Sequence, residues 1–303
     1  MDLDFVCIEC DIAVSPSVLV TAALYDGLRQ FERYFKASCC SDLHKSCDSC
    51  GEFSGCPYRT VFGQMVSPDP EIVRCHQKPS LPFSLSINCL LDTCSSNTVG
   101  MTIVGTAVNY IGTFLDTLHR MISASLLTVV PQWAESSLRF YNIDYQGVRH
   151  EIGSRLSLSE SIILLSGLHI MNNTIHSENA TLVFTSPLRL ISGGSLCRQF
   201  DFAHFFRSQL RRCSSLCAYY GSGEMELDFV ALSHQSQSVV VLEDDMHYTQ
   251  PSWTKLRNRA GLTGSIECAG LVDEMFSLLL LGSYFNAGKG AAFGLGCYTI
   301  KPL

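Results

Sequence analysis

The chain has 303 residues, of which 47% are hydrophobic and 16% charged. This composition is typical of a globular protein and excludes an intrinsically disordered one. The length is sufficient for two domains of ordinary size. The formal net charge of -7 is unusual for a nucleic-acid-binding protein. It does not exclude RNA as a ligand, because net charge is an average and a local basic path still attracts phosphates.

Fifteen cysteines are present, and the N-terminus begins Met1-Asp2-Leu3-Asp4. The acidic start lacks the basic and apolar regions of a signal peptide. We therefore expect a cytoplasmic protein with reduced thiols and no membrane association. The longest uncharged run, Thr98 to Leu115, contains Asn109 and three glycines. It is interpreted as a strand followed by a helix and not as a membrane span.

Alternating strand and helix patterns occupy the N-terminal half. The first helix has Leu24, Leu28, Phe31 and Phe35 at helical spacing. In chain order, we predict a strand from Phe5 to Ile12, a helix from Pro16 to about Phe35, a cysteine-rich loop from Cys39 to Cys56, strands from Phe83 to Leu91 and Gly100 to Ala107, a helix from Ile111 to Ser123, a strand from Leu126 to Val130, and two short strands between Ser137 and Ile152.

The C-terminal half shows the pattern more clearly. In chain order, we predict a strand from Thr181 to Ile191, a helix from Phe202 to Tyr220, a hairpin of Met225 to Ser233 with Ser238 to Asp245, a strand from Gly264 to Ala269, a helix from Leu271 to Tyr284, and a final strand from Ala292 to Ile300. This order is the βαββαβ, or ferredoxin-like, pattern. We therefore predict an α+β protein with two tandem ferredoxin-like (RRM-like) domains. They span residues 1–155, with a cysteine-rich insert at about 38–64, and residues 181–303, joined by a connection at 156–180.

A glycine-rich segment lies between the last predicted helix and the last strand. It combines Lys289 with an asparagine, an aromatic residue and four glycines, namely Asn286, Gly288, Gly290, Phe293, Gly294 and Gly296. Glycines allow a backbone to approach a phosphodiester closely, and a lysine adds positive charge. The segment lacks the spacing of a P-loop and does not open a helix, so neither an NTPase nor a dinucleotide site is indicated. A glycine-rich hairpin without a ligand is the alternative.

The C-terminal half resembles the CRISPR repeat-RNA endoribonucleases of the RAMP superfamily. Those domains end in a helix, a G-K-G-x-x-F-G-L-G-x-Y type loop and a strand. Residues 286–298 of this chain contain the loop motif, between the last predicted helix and the last predicted strand. Three further segments match in the same order. The opening strand of those domains is similar to Leu182-Val-Phe-Thr-Ser-Pro187-Leu-Arg189-Leu, and their basic helix is similar to Phe205-Phe-Arg207-Ser-Gln-Leu-Arg211-Arg212. Their tryptophan- and arginine-containing stretch is similar to Trp253 through Gly264.

Basic side chains in these segments indicate an RNA path. Arg207, Arg211 and Arg212 recur at helical spacing, and Lys255, Arg257 and Arg259 alternate as in an extended strand. With Lys289 and the rest of the glycine-rich segment, they are the candidate RNA-binding residues. A solvated charged face is the alternative for each cluster.

The cysteine-rich insert resembles one that some family members carry, ending in C-P-Y, as at Cys56-Pro57-Tyr58. Cys40, Cys47, Cys50 and Cys56 lie within a 17-residue window, a spacing that can close a tetrahedral zinc site. Free thiols and an iron–sulfur ligand set are the alternatives. Cys39 and His44 are alternative ligands. The ten scattered cysteines are interpreted as small core residues: Cys7, Cys10, Cys75, Cys89, Cys94, Cys197, Cys213, Cys217, Cys268 and Cys297.

The resemblance implies cleavage of precursor RNA without a metal cofactor, by attack of a ribose 2′-OH that leaves a 2′,3′-cyclic phosphate. Many relatives carry a histidine where this chain has Asn286, and an amide cannot act as a general base. In other members the histidine follows the first helix, so His44, with Tyr25 and Lys45, forms the candidate catalytic set. A zinc-binding or exposed His44 is the alternative.

Three functions remain open at this point. The first is an endoribonuclease that binds CRISPR repeat RNA and either releases or retains its product in an effector complex with other subunits. The second is a RAMP subunit that holds an RNA end without cleaving it. The third, which the acidic charge suggests, is a metal-stabilised protein-interaction module without an RNA role.

Overall fold

A computed structural model describes residues 3–43, 47, 50, 55–88, 97–134, 137–153, 161–250 and 260–303 of the chain. The chain divides into two compact units. One unit spans Phe5–Leu165; the other spans Ser166–Leu303 and includes Leu3 and Asp4. Each unit packs helices against an antiparallel sheet, as the α+β prediction requires.

The first unit follows the predicted order with additional short helices. Its elements are β1 (Asp4–Ile12), α1 (Val18–Arg29), α2 (Phe31–Cys39), α3 (Pro57–Phe62), α4 (Pro70–Cys75), β2 (Phe83–Asn88), β3 (Asn97–Val104), α5 (Ile111–Leu127), β4 (Leu138–Ile143), β5 (Arg149–Ile152) and, at the boundary, β6 (Leu165–Ser166). The sheet has the order β2-β3-β1-β4-β5. Its first four members have the ferredoxin-like order, with β1 and β3 in the middle.

Side-chain alternation along β1 builds the core of this unit. Val6, Ile8, Cys10 and Ile12 are buried at every second position, as expected for a strand with one covered face. The helices contribute an aromatic cluster in which Phe31 lies 5.3 Å from Phe83 and Phe35 lies 4.8 Å from Phe114, centroid to centroid.

The predicted helix from Pro16 to Phe35 is two helices. α1 ends at Arg29 and α2 begins at Phe31, because Gln30 leaves the helical conformation at φ -97° and ψ 4°. The apolar residues predicted for one helix are nevertheless buried in both. The break lets α2 pack against α5, so its phenylalanines reach the common core.

The predicted strand from Leu126 to Val130 is wrong. These residues are the end of α5 and the turn after it, where Val129 and Val130 both donate to the Leu126 carbonyl. Leu126 continues a buried row at four-residue spacing with Leu118 and Ile122. The helical period therefore outweighs the local β-branched composition.

The second unit repeats the arrangement. Its elements are α6 (Gly167–Asn173), β7 (Asn179–Leu188), β8 (Ile191–Ser192), β9 (Ser195–Leu196), α7 (Phe202–Tyr220), α8 (Phe229–Gln235), β10 (Val240–Asp244), β11 (His247–Thr249), β12 (Gly261–Ala269), α9 (Asp273–Ser283) and β13 (Tyr298–Pro302). The main sheet has the order β10-β12-β7-β13, which is again ferredoxin-like. The predicted fold class is confirmed for both units.

Two predicted strands of this unit are corrected. Met225 to Ser233 is not a strand, because Asp228 accepts a hydrogen bond from the Ala231 amide (2.9 Å) and starts α8. An aspartate N-cap accepts hydrogen bonds from the first amides of a helix, which have no partner within the helix, and therefore favours a helix start at this position. The final strand begins at Tyr298 and not at Ala292, because Gly294 and Gly296 have φ of 81° and 65°. These left-handed angles do not occur in a regular strand.

Within the described ranges, no helix combines the length and apolar character needed to cross a membrane.

Candidate nucleic-acid interface

The glycine-rich loop, residues 286–297, joins α9 to β13 and folds back onto the end of β7. The amide of Lys289 donates to the Arg189 carbonyl (2.8 Å), and the amide of Gly296 donates to the Pro187 carbonyl (3.0 Å). The amide of Ala287 closes the loop by donating to the Gly296 carbonyl (2.9 Å). The opening strand and the glycine-rich loop, both singled out in the sequence, are thus one hydrogen-bonded structure.

Two glycines are required by the protein's own backbone. At Gly288, with φ 73°, an added Cβ would lie 2.5 Å from the Arg189 carbonyl oxygen. At Gly296, with φ 65°, it would meet the Ala287 carbonyl oxygen. These glycines therefore permit a close approach of protein backbone to protein backbone, whereas the sequence had suggested an approach to RNA.

Two amides of this loop have no acceptor among the described residues. In the part of the chain that the structure describes, no protein acceptor engages the amides of Gly288 and Gly290, which are half-buried. Both residues have positive φ and flank Lys289, whose side chain is exposed. Amide donors beside a cation are groups that can bind a phosphate.

Asn286 is a structural residue of this loop. Its side chain is only 4% exposed, and its Nδ2 donates to the Ala291 carbonyl (2.9 Å). Its φ of 59° lies in the left-handed region, which asparagine tolerates better than most residues. The amide thus braces the turn from inside, and the sequence alone had given no sign of this role.

The predicted row of arginines on α7 is divided between two environments. Arg207 and Arg211 are exposed. Arg212 is half-buried, and its Nε donates to the Phe285 carbonyl (2.8 Å), directly before the glycine-rich loop. Burial lowers the pKa of Arg212 to about 10, so the guanidinium stays charged at neutral pH. Lys255, Arg257 and Arg259 lie outside the described residues.

Phe293, the aromatic member of the predicted RNA-binding set, is half-buried in the short helical turn between Gly290 and Gly294. Its amide donates to the Gly290 carbonyl (2.9 Å). Its position within the loop is therefore fixed by the two glycines that flank it.

In the first unit, a cavity of about 520 Å³ lies beside α2. It is lined by Arg33, Tyr34, Lys36, Ala37 and Leu43. Two cations and a phenol at one cavity suit a phosphate and a nearby proton transfer. These residues were not among those predicted from the sequence. The sequence feature that could have indicated them is the pair of cations, Arg33 and Lys36, at i and i+3 just before the insert.

Of the three predicted catalytic residues, Tyr25 lies among the described residues. Tyr25 is half-buried on α1, whereas the cavity is lined by residues of α2 and the loop after it. His44 and Lys45 follow the cavity residue Leu43 in the chain and lie outside the described residues.

The end of the insert is anchored to α2 by aromatic contacts. The Tyr58 hydroxyl donates to Glu32 Oε1 (2.7 Å), and Lys36 Nζ lies 5.5 Å from the centre of the Tyr58 ring. Phe62 packs on Phe35 with 5.3 Å between ring centres. Burial, followed by the bond to Glu32, raises the pKa of Tyr58 far above its usual value. The C-P-Y segment therefore has a packing role of its own.

The four candidate zinc ligands all lie among the described residues. Cys40 Sγ donates to the Asp42 carbonyl (3.2 Å), and the Cys50 amide donates to the Cys47 carbonyl (3.3 Å). Throughout the described ranges, no three His, Cys, Asp or Glu side chains gather in a way that could hold a metal ion. The arrangement shown is thus not a finished tetrahedral site.

Among the described residues, five of the scattered cysteines occupy the core as predicted. Cys10, Cys213, Cys217, Cys268 and Cys297 are buried. Cys7 and Cys197 are half-buried, and Cys75 is exposed, so the core interpretation is wrong for Cys75. Cys89 and Cys94 lie outside the described residues.

The described residues form two ferredoxin-like units, and a glycine-rich loop precedes the last strand of the second unit. Residues 182–298 match the family model described as CRISPR-associated endoribonuclease Cas6. This match over the C-terminal segment confirms the resemblance seen in the sequence. A second family model, described as an N-terminal domain, matches residues 29–128.

Solved structures of low sequence identity share the fold over nearly the full chain. Cas6 (TTHA0078) in a product complex is 14% identical, with a TM-score of 0.52, and the match covers 98% of this chain and 99% of that one. Thermus thermophilus Cas6 (TTHB231) is 12% identical, with a TM-score of 0.51, and the match covers 99% of this chain and 98% of that one. The sequence matches none of the curated proteins with which it was compared.

Proposed function

We propose that this protein binds CRISPR repeat RNA and cleaves its precursor. The observation that carries the proposal is that the Cas6 match spans the glycine-rich loop. Its unengaged amides and exposed Lys289 supply the donors and the charge that an RNA backbone requires. The acidic net charge does not oppose this, because Arg207, Arg211 and Lys289 expose cations in the same unit.

The proposed reaction uses the RNA's own 2′-OH as nucleophile and needs no metal ion. A base removes the 2′-OH proton, the oxygen attacks the adjacent phosphorus, and the departing 5′-oxygen takes a proton. The products are a 2′,3′-cyclic phosphate and a 5′-OH. His44 is the proposed base, with Tyr25 and Lys45 as assisting groups. Arg33 and Lys36 would stabilise the charge that develops on the phosphate.

A second function, RNA binding without cleavage in an effector complex, is favoured by one observation. Asn286 stands where many relatives carry a histidine, and its amide is committed to the Ala291 carbonyl. A group so held can neither accept nor deliver a proton at the scissile bond. In this alternative the glycine-rich loop would hold the RNA end for partner subunits.

Incubation with RNA in EDTA separates the two functions. The substrate is a synthetic RNA of the repeat found in the CRISPR array of the same genome. Cleavage in excess EDTA, with a 2′,3′-cyclic phosphate on the product, is expected for the enzyme. Binding that weakens steeply with salt but gives no product would favour the alternative. If no salt-sensitive binding is found, both RNA functions are wrong, and the protein-interaction module is favoured.

We further propose that the insert takes up a structural zinc ion through Cys40, Cys47, Cys50 and Cys56. Support comes from the ligand type and from the short C-x-x-C chelating unit. Several thiols of the insert are neighbours in space. Burial raises the pKa of Cys39 to about 11, and the nearby Cys56 and Cys40 raise that pKa by smaller amounts. Binding would require these thiols to move together and lose their protons, as is usual when metal binding is coupled to folding.

A further inference from the structure

The end of α9 is held by side chains from outside the helix. The last carbonyls of a helix have no partner within it and must be satisfied by other donors. Here Gln209 Nε2 donates to the Gly282 carbonyl (2.7 Å), which also accepts from the Phe285 amide (3.0 Å). Arg212 Nε donates to the carbonyl of Phe285, two residues beyond the helix (2.8 Å). Both donors come from α7, at positions three residues apart and therefore on the same side of that helix.

Gln209 and Gly282 fit each other closely. Gln209 is fully buried, and a Cβ on Gly282 would collide with its amide group. A glycine at position 282 is thus what allows the amide to lie against the helix backbone. The pairing fixes α7 against α9 one turn before the glycine-rich loop begins.

Arg212 acts at the point where the glycine-rich loop leaves α9. Phe285 is fully buried, and the next residue, Asn286, takes the left-handed conformation that starts the loop. A cation beside the C-terminal end of a helix is also favoured by the helix dipole. The neighbouring Arg211 is exposed, so adjacent arginines on α7 point to different surroundings.

We propose that Arg212, supported by Gln209, is a positioning residue that holds the start of the glycine-rich loop for RNA binding and does not itself contact RNA phosphate. This inference rests on the proposed RNA-binding function. It replaces the sequence-based interpretation of Arg212 as a third phosphate-binding cation of the helix. The hydrogen bond from the guanidinium to the Phe285 carbonyl would fix the backbone where the loop starts. It would thereby fix the positions of the Gly288 and Gly290 amides.

The salt dependence of RNA binding distinguishes a positioning residue from a phosphate contact. The affinity of the synthetic repeat RNA is measured over a range of salt concentrations for the full chain and for Arg212→Gln, Arg212→Lys, Arg211→Gln and Lys289→Ala. Arg212→Gln is expected to weaken binding roughly tenfold, the factor for one buried hydrogen bond, with the salt slope unchanged. A slope reduced by about one unit, as expected for Lys289→Ala, would overturn the proposal.

Hydrogen exchange tests the positioning without RNA. Arg212→Gln should speed exchange at the bonded loop amides of Lys289, Phe293 and Gly296, because the loop loses its support. Arg212→Lys, which keeps the charge but not the planar donor, should show the same change to a smaller degree. Arg211→Gln is the matched control and should leave loop exchange unaltered. Unchanged exchange in Arg212→Gln would end the positioning role.

These outcomes separate the inference from the proposed function. If the wild-type chain binds no RNA but Arg212→Gln still speeds exchange, the proposed function is wrong and the support of the loop by Arg212 stands. If the wild-type chain binds RNA and Arg212→Gln binds equally well, the inference is wrong and the function stands.

Discussion

At the scale of single residues, backbone angle and available space decide which side chains the glycine-rich loop accepts. Gly288 and Gly194 both have positive φ, at 73° and 81°. Only at Gly288 does an added Cβ meet backbone, the Arg189 carbonyl oxygen, whereas nothing lies within 4 Å at Gly194. A substitution at Gly194 therefore tests the conformational strain alone, whereas a substitution at Gly288 adds a steric conflict.

We predict that Gly288→Ala lowers the free energy of unfolding more than Gly194→Ala does. The conformational cost alone is about 1–2 kcal/mol at either site. The contact with Arg189 adds at least about 1 kcal/mol at Gly288, because the backbone must shift. Urea unfolding of the two variants provides the measurement. Equal losses would show that the space beside Gly288 is not restrictive.

For Asn286, we predict that histidine does not raise the cleavage rate. The position is buried, and its amide braces the loop through the Ala291 carbonyl. Asn286→Gly, which accepts the same φ, should lower the free energy of unfolding by about 1–3 kcal/mol, because the Ala291 carbonyl loses its donor. Asn286→Ala should cost a further 1–2 kcal/mol, roughly, for the left-handed angle. Faster cleavage by Asn286→His would instead indicate that this position lies beside the scissile phosphate.

Lys289 is predicted to make one phosphate contact. Its side chain is exposed while its amide is bonded to the Arg189 carbonyl, so removing the side chain should not disturb the loop. Lys289→Ala should weaken RNA binding and reduce the salt slope by about one unit. Lys301→Ala, at an exposed position of β13, serves as a control for general charge loss. The same slope change in both variants would argue against a specific contact at Lys289.

At the scale of elements, the cysteine-rich insert has one observed source of order and one proposed source. Its C-terminal end is packed on α2 through Tyr58 and Phe62. Its thiols are proposed to add a zinc ion. Because the aromatic anchor does not involve metal, loss of zinc should loosen the insert without unfolding the second unit.

We predict about one equivalent of zinc in the purified protein. Cys50→Ser should release it and lower the stability of the first unit, since metal affinity contributes to folding. The exposed Cys75 is the control, and Cys75→Ser should retain the metal. Metal analysis and thermal unfolding provide the measurements. Metal-free wild-type protein whose stability is unaffected by chelator would refute the zinc proposal.

At the scale of the whole molecule, the sequence by itself determined the order of the main elements. Helical and strand periods are local, so α7 was predicted with its observed bounds and β1 within one residue. The repeated βαββαβ order and the glycine-rich loop were also visible in the sequence. The fold class and the family resemblance followed from these features.

Only the tertiary structure decided what many site residues do. The predicted strands from Leu126 to Val130 and Met225 to Ser233 failed because packing and an N-cap outweighed local composition. Helical spacing put Arg207, Arg211 and Arg212 near one another, but it could not show that Arg212 donates to a carbonyl 73 positions along the chain. Likewise, Gly288 faces the carbonyl of Arg189, a residue just after β7 that is distant in sequence. Such contacts depend on how separate segments meet in space, and the period of one segment carries no information about its partner.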